Sequence, residues 1–193
     1  MMPPFIDIEP QALLHELAEL SQQTLSGVHA LSRLDRDAIQ VGCSPREVVH
    51  EDGKLKLYRY TPVVERPHPV PLMITYALVN RPDMVDLEDG RSLVQNLLKL
   101  GLDVYLVDWG YPSRGDRWLT MDDHINGMMD DCVAVIKARS GQPAINLLGI
   151  CQGGAFSLMY AALHPDNVKN LITMVAPVDF HADKGADCGL LGS

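Results

Sequence analysis

The chain has 193 residues, 47% of them hydrophobic and 21% charged, with a formal net charge of -9. That length suits one domain with a real core, and the composition is that of a soluble globular protein rather than a disordered or fibrous one. The acidic balance is spread along the chain with no basic cluster, which excludes nucleic acid as the main partner, because phosphate contacts need basic patches.

Four cysteines, Cys43, Cys132, Cys151 and Cys188, stand far apart without a CxxC pair, which argues against a zinc site or a disulfide framework. The opening MMPPFIDIEP has neither a basic n-region nor an apolar h-region, so no signal peptide is expected. No apolar run reaches the ~18–20 residues that span a bilayer, so no transmembrane segment is expected either. The expectation is a cytosolic protein with reduced thiols and no bound metal.

In chain order, residues 9–34 read as a helix, with Leu13, Leu17, Leu20 and Leu31 making an apolar stripe beside Leu14 and Val28. Gly42 and Ser44-Pro45 break the pattern, residues 55–60 alternate like a strand, and Pro67, Pro69 and Pro71 mark a connection. Leu72 to Val79 is a continuous apolar run, as in a strand buried on both faces. Residues 89–100 fit a helix ended by Gly101, and Val104 to Val107 is a second buried strand running into Asp108-Trp109-Gly110 and Tyr111-Pro112. Residues 120–139 form the clearest helix: Ile125, Met128, Met129, Cys132 and Ile136 share a face, and Thr120 with Asp123 suggests a cap. Ile145 to Leu148 is a third strand, followed by a helix through Phe156, Met159, Tyr160 and Leu163 that Pro165 closes, and Leu171 to Val175 is a fourth.

Strand and helix in alternation predict a mostly parallel α/β sheet with helices on both faces, whose chemistry sits at the carboxyl ends of the strands. Three features fall there: Val79-Asn80-Arg81-Pro82, Asp108-Trp109-Gly110, and Gly149-Ile150-Cys151-Gln152-Gly153-Gly154. The last, Gly-x-Cys-x-Gly between a buried strand and a helix, is a nucleophile-elbow pattern with sulfur in place of the usual serine oxygen. Gly149 and Gly153 are needed because side chains there would collide with the neighbouring strand or helix, and Gly154 lets the helix pack close. The turn sets the sulfur at a helix N-terminus, where negative charge is favoured. The backbone N–H of Gln152 is one expected oxyanion-hole donor, and Val79, in the loop after the first buried strand, is the expected source of the second.

The blocks NLLGICQGG with FSLMY, YALVNRP, DVYLVDWGYP and MVAPVDF resemble those of the polyhydroxyalkanoate synthases over residues 5–181. The short N-terminal region is similar to that of the compact catalytic subunit of the two-subunit, class III enzymes. The resemblance implies an α/β-hydrolase fold and an acyltransferase that polymerises (R)-3-hydroxyacyl-CoA, such as 3-hydroxybutyryl-CoA, through an acyl thioester on Cys151. It also implies a second, non-homologous subunit as partner, a cytoplasmic enzyme at the surface of a polyester granule, and no cofactor beyond the CoA thioester substrate.

In this fold an acid and a histidine follow the nucleophile along the chain, so both are expected downstream of residue 176. The tail from residue 181 holds no further strand, so the sequence reads as 1–50 an N-terminal helical segment, 51–180 an incomplete catalytic domain lacking the C-terminal strands and lid, and 181–193 an atypical tail. Of the local histidines, His164 reads as a helix-end residue and His124 as solvated, while His181 is the one placed to approach the site. Asp108 and Asp179 read as turn acids, Trp109 and Tyr111 as packing residues, and Cys132 as core. Two other readings remain open: a dienelactone-hydrolase-type cysteine hydrolase, against which YALVNRP and DVYLVDWGYP count, and a non-catalytic chain that only binds a partner subunit or a granule.

Overall fold

The computed structural model describes residues 10–32, 41–79 and 81–179; His181, Cys188 and the tail 181–193 lie outside the described residues. By contacts the chain divides into two units, Met1–Gln40 and Val41–Ser193. Within the first, α1 (Pro10–Ser32) is a 23-residue helix inside the span 9–34 that its apolar spacing predicts, whose end residues 9, 33 and 34 lie outside the described residues. The side chains of Leu13 and Leu31 lie outside the described set.

The second unit is built on a six-stranded sheet in the order β1-β2-β6-β3-β7-β8. Its strands are β1 (Arg46–Asp52), β2 (Leu55–Tyr60), β3 (Leu72–Thr75), β6 (Val104–Asp108), β7 (Ile145–Ile150) and β8 (Val168–Met174), with a small hairpin of β4 (Asp86–Glu88) and β5 (Arg91–Ser92) outside the sheet. β6, β3, β7 and β8 run parallel, and β1 and β2 add an antiparallel end. Alternate residues of the parallel strands feed two cores. Met73, Tyr105, Val107 and Leu147 pack with Ile125, Met129, Cys132, Ile136, Phe156 and Tyr160, from the helices on one face. Leu72, Ile74, Val104, Leu106, Leu148 and Ile150 pack with Val94 and Leu98 of α2 (Leu93–Lys99) on the other. A sheet covered on both faces favours apolar residues at successive strand positions, which is why β3 and most of β6 and β7 read as apolar runs.

Several boundaries differ from the sequence pattern, each for a local reason. The run 72–79 is a strand only to Thr75; beyond it the Tyr76 carbonyl accepts a bond from Trp109 Nε1 (3.0 Å) and the Leu78 N–H donates to Gln152 Oε1 (3.2 Å), so neither continues a ladder. The helix expected over 89–100 starts at Leu93, where Ser92 Oγ caps it by accepting from the Gln95 N–H (2.9 Å). Upstream, the buried Asp86 carboxylate accepts from Ser92 Oγ (2.6 Å), Ser44 Oγ (2.8 Å) and the Ser44 N–H (3.0 Å), and this holds the hairpin in place. The helix expected over 120–139 is two segments, π-helical at Asp123–Met129 and α-helical in α3 (Asp130–Ser140), with Thr120 and Asp123 bonded reciprocally at its start as expected. β1 was not expected. It is an edge strand with both faces partly in solvent, so its sequence carries no apolar period. Residues 46–50, grouped with the N-terminal segment by sequence, are part of it.

Candidate active site

β7 ends at Ile150 and α4 (Gln152–Leu163) begins at Gln152, so the single residue Cys151 reverses the chain at φ 55°, ψ −128°. Holding an L-residue there costs about 1–3 kcal/mol and persists only where the surroundings over-determine it. They do so here. The Cys151 N–H donates to the Met174 carbonyl at the end of β8 (2.9 Å), and its carbonyl accepts from the Gly154 N–H (2.9 Å). Among the described residues Val175, directly after β8, is the other non-glycine residue at positive φ (47°). Its turn brings Ala176 against the start of α4.

The three glycines leave no room for a side chain. A Cβ on Gly149 would stand 2.5 Å from the Gly154 Cα and 2.7 Å from Ser157 Oγ; one on Gly153 would stand 2.1 Å from the Thr75 carbonyl oxygen at the end of β3; one on Gly154 would meet the Ala176 Cβ at 2.5 Å. α4 is thus pressed onto β7, β3 and the chain after β8 together, and the half-buried Cys151 is raised at their carboxyl ends. Beneath the turn the buried hydroxyls of Thr75 and Ser157 have no hydrogen-bond partner among the described residues.

The Gln152 side chain ties the loop after β3 to the elbow through the Leu78 N–H, which occupies that amide. Val79 follows in the same turn, its side chain in solvent. Gly149, Cys151, Gln152, Gly153 and Gly154 are brought together, and Val79 stands one residue from the tied amide. The sequence carried no signal for the Leu78–Gln152 bond, since a backbone donor has no residue signature.

His124 departs from its expected solvated state. Its ring is half-buried, 5.6 Å from Trp109 and 6.1 Å from Phe156, with Nδ1 2.7 Å from the Thr120 carbonyl. Trp109 meets Phe156 edge-on at 5.9 Å, a packing role as expected, and Tyr111 is exposed. His164 stacks on Tyr160 at 4.6 Å and bonds Asn126 Oδ1 through Nε2 (2.7 Å), away from the elbow. Asp108 accepts from the Gly110 N–H (2.9 Å), a turn role, and Asp179 lies beyond β8. Cys132 is wholly buried, and burial pushes its thiol up to about 12. Among the described residues Cys151 Sγ is hydrogen-bonded to no histidine, no group of three or more His, Cys, Asp and Glu side chains could hold a metal ion, and no helix is long and apolar enough to cross a membrane.

A cavity of about 850 Å³ opens at the carboxyl ends of β3 and β6, walled by Leu55, Leu78, Trp109, His124 and Met128, with Lys54 at its rim. Cys151 is not one of its walls; it is linked to them through Gln152 and Leu78. A smaller recess of about 300 Å³ lies by Arg59 and Asp103, before the start of β6, and its charges are already paired with each other (2.9 Å).

The alpha/beta hydrolase fold family model matches residues 81–186. A solved sugar hydrolase from Lactococcus lactis superposes with a TM-score of 0.56 at 14% identity, covering 70% of this chain and 55% of that one, a likeness of fold. The chain therefore belongs to the α/β-hydrolase fold family. Within it, the chain is 59% identical over 180 residues to the poly(3-hydroxyalkanoate) polymerase subunit PhaC of Synechocystis, covering 93% of this chain and 48% of that protein. It is 53% identical to the PhaC subunit of Allochromatium vinosum, covering 91% and 49%. These matches make the chain similar, over most of its own length, to PhaC subunits of the poly(3-hydroxyalkanoate) polymerases. The chain spans about half the length of these curated relatives.

Proposed function

We propose that Cys151 is the acyl-accepting nucleophile of a polymerase that joins (R)-3-hydroxyacyl units, such as 3-hydroxybutyryl, from CoA thioesters. The observation that carries this reading is the strained cysteine at φ 55° on a glycine-lined turn, at the carboxyl ends of parallel strands, in a chain so similar to PhaC subunits. The sulfur of Cys151 attacks the thioester carbonyl, and the new C–S bond forms as the bond to CoA sulfur breaks. The departing CoA thiolate takes up the proton Cys151 gave up. The 3-hydroxyl of a second unit then attacks the Cys151 thioester, an ester forms, and the cysteine sulfur leaves with the hydroxyl proton. Thioester-for-thioester exchange keeps the acyl group activated, whereas serine would hold it as a more stable ester.

The N–H groups of Gln152 and Val79 are the proposed oxyanion donors, the first because the opening N–H groups of a helix lack intrahelical partners. The chemistry requires no metal or redox cofactor. The family resemblance supports a cytoplasmic enzyme working with a second subunit at a polyester granule. The test is CoA release from 3-hydroxybutyryl-CoA, read with a thiol reagent. The wild-type chain releases CoA up to about one equivalent per chain, and Cys151→Ala releases none. Equal release by both would remove Cys151 from the reaction.

A further inference from the structure

We propose that His124 reads the 3-hydroxyl of the acyl group, which lies in the cavity at the carboxyl ends of β3 and β6; this rests on the acyl-transfer reading above. At about 850 Å³ the cavity is within the range of small-molecule sites. Leu55, Leu78, Trp109 and Met128 form an apolar part of its wall suited to an aliphatic body. Charged groups such as Lys54, Arg81, Asp83 and Asp108 line the rest. Two contacts join it to the elbow. The Leu78 N–H is bonded to the side chain of Gln152, the residue after Cys151, and Phe156, on the α4 turn that follows, packs edge-on against Trp109.

His124 is a polar group set among those walls. Its Nδ1 stands 2.7 Å from the Thr120 carbonyl. A carbonyl oxygen only accepts, so Nδ1 carries the proton, and Nε2 of the neutral ring holds a lone pair. Among the described residues Nε2 has no hydrogen-bond partner. The ring cannot swing freely, because Trp109 and Phe156 flank it at 5.6 and 6.1 Å. The backbone beneath it is the π-helical stretch Asp123–Met129, which presents His124 and Met128 to the same cavity; such stretches are rare and recur at functional sites.

An acceptor held beside the apolar part of the cavity wall selects for a ligand that combines a short hydrocarbon body with a hydroxyl. An unsubstituted acyl group leaves Nε2 facing hydrocarbon, and a site built to bond a hydroxyl rejects the analogue that lacks it.

The test uses the full chain carrying Cys151→Ala, which removes acylation, and Trp118→Phe, which leaves Trp109 as the one tryptophan of the two in the sequence. Trp109 fluorescence is followed while the N-acetylcysteamine thioesters of 3-hydroxybutyrate and butyrate are added. The hydroxy thioester binds about tenfold more tightly, as one hydrogen bond requires. His124→Phe keeps butyrate binding and loses the preference. On the chain with His124 intact, nitrogen NMR shows the Nε2 resonance moving with the hydroxy thioester and staying with the butyryl one, a readout that needs no His124 variant to fold. Equal binding of the two thioesters, a preference that survives His124→Phe, or a stationary Nε2 resonance overturns the proposal. With Cys151 absent from the assay, a failure here is distinct from a failure of Cys151 to release CoA.

Discussion

Gly153 shows how little latitude the elbow has. The Thr75 carbonyl oxygen stands 2.1 Å from where its Cβ would be, and that oxygen belongs to backbone that cannot step aside. Gly153→Ala lowers the unfolding free energy by about 3 kcal/mol in denaturant titration, the upper end of the usual cost of overpacking. Gly127→Ala, where no atom lies within 4 Å, raises it by about 0.5 kcal/mol through lost chain entropy in the unfolded state. Similar effects at both positions would show that the close approach at Gly153 is not real. The cysteines divide in the same manner. Cys43 is exposed, Cys151 is half-buried and Cys132 is buried with its thiol pushed up, so iodoacetamide labels Cys43 and Cys151 in the folded chain and reaches Cys132 only after denaturation. Peptide mapping checks the order. At this scale the sequence was most legible where steric need selects a residue type, as at the three glycines. It was least legible at His124, whose partners Trp109 and Phe156 come from 15 and 32 residues away along the chain and leave no local periodic trace.

Among the elements, those buried on both faces could be read directly, because nearly every position of β3, β6 and β7 is buried and apolar, with Thr75, Asp108 and Asn146 the polar exceptions. What escaped was set by side chain-to-backbone bonds. The Asp86 carboxylate gathers Ser44 and Ser92, and the turn and β5 of the hairpin occupy the first residues of what apolar spacing alone assigned to helix. The π-helical widening at Asp123–Met129 keeps the apolar positions in the order an α-helix would, so the same pattern fits either. Trp109 carries the element-scale prediction. Its Nε1 bond to the Tyr76 carbonyl braces the loop between β3 and the elbow, so Trp109→Phe leaves a carbonyl without its donor. It lowers stability by about 1–2 kcal/mol and speeds hydrogen exchange at the Leu78 amide. Unchanged exchange at Leu78 would show that the loop is held by other contacts.

At the scale of the molecule, among the described residues β8 is the outer strand of the parallel run, bonded to β7 on one side. Ile172 and Met174 are each close to half exposed along it, and Val175 and Val178 beyond it are more so. An apolar edge of this kind is a template for pairing with another chain. The double variant Ile172→Lys, Met174→Lys therefore stays monomeric in light scattering at concentrations where the unaltered chain associates; equal association would place the sticky surface elsewhere. The parallel sheet and its two helical faces were foreseeable from alternation alone, and the antiparallel end formed by β1 was not.

The most direct test is whether Cys151 takes the acyl group. Incubation with 3-hydroxybutyryl-CoA, rapid acid quench and peptide-mapping mass spectrometry should find the hydroxybutyryl mass on the peptide containing Cys151 and on neither Cys43 nor Cys132, with loss of the adduct in Cys151→Ala. An adduct on Cys43 instead, or none on Cys151 while the folded chain releases CoA, would contradict it.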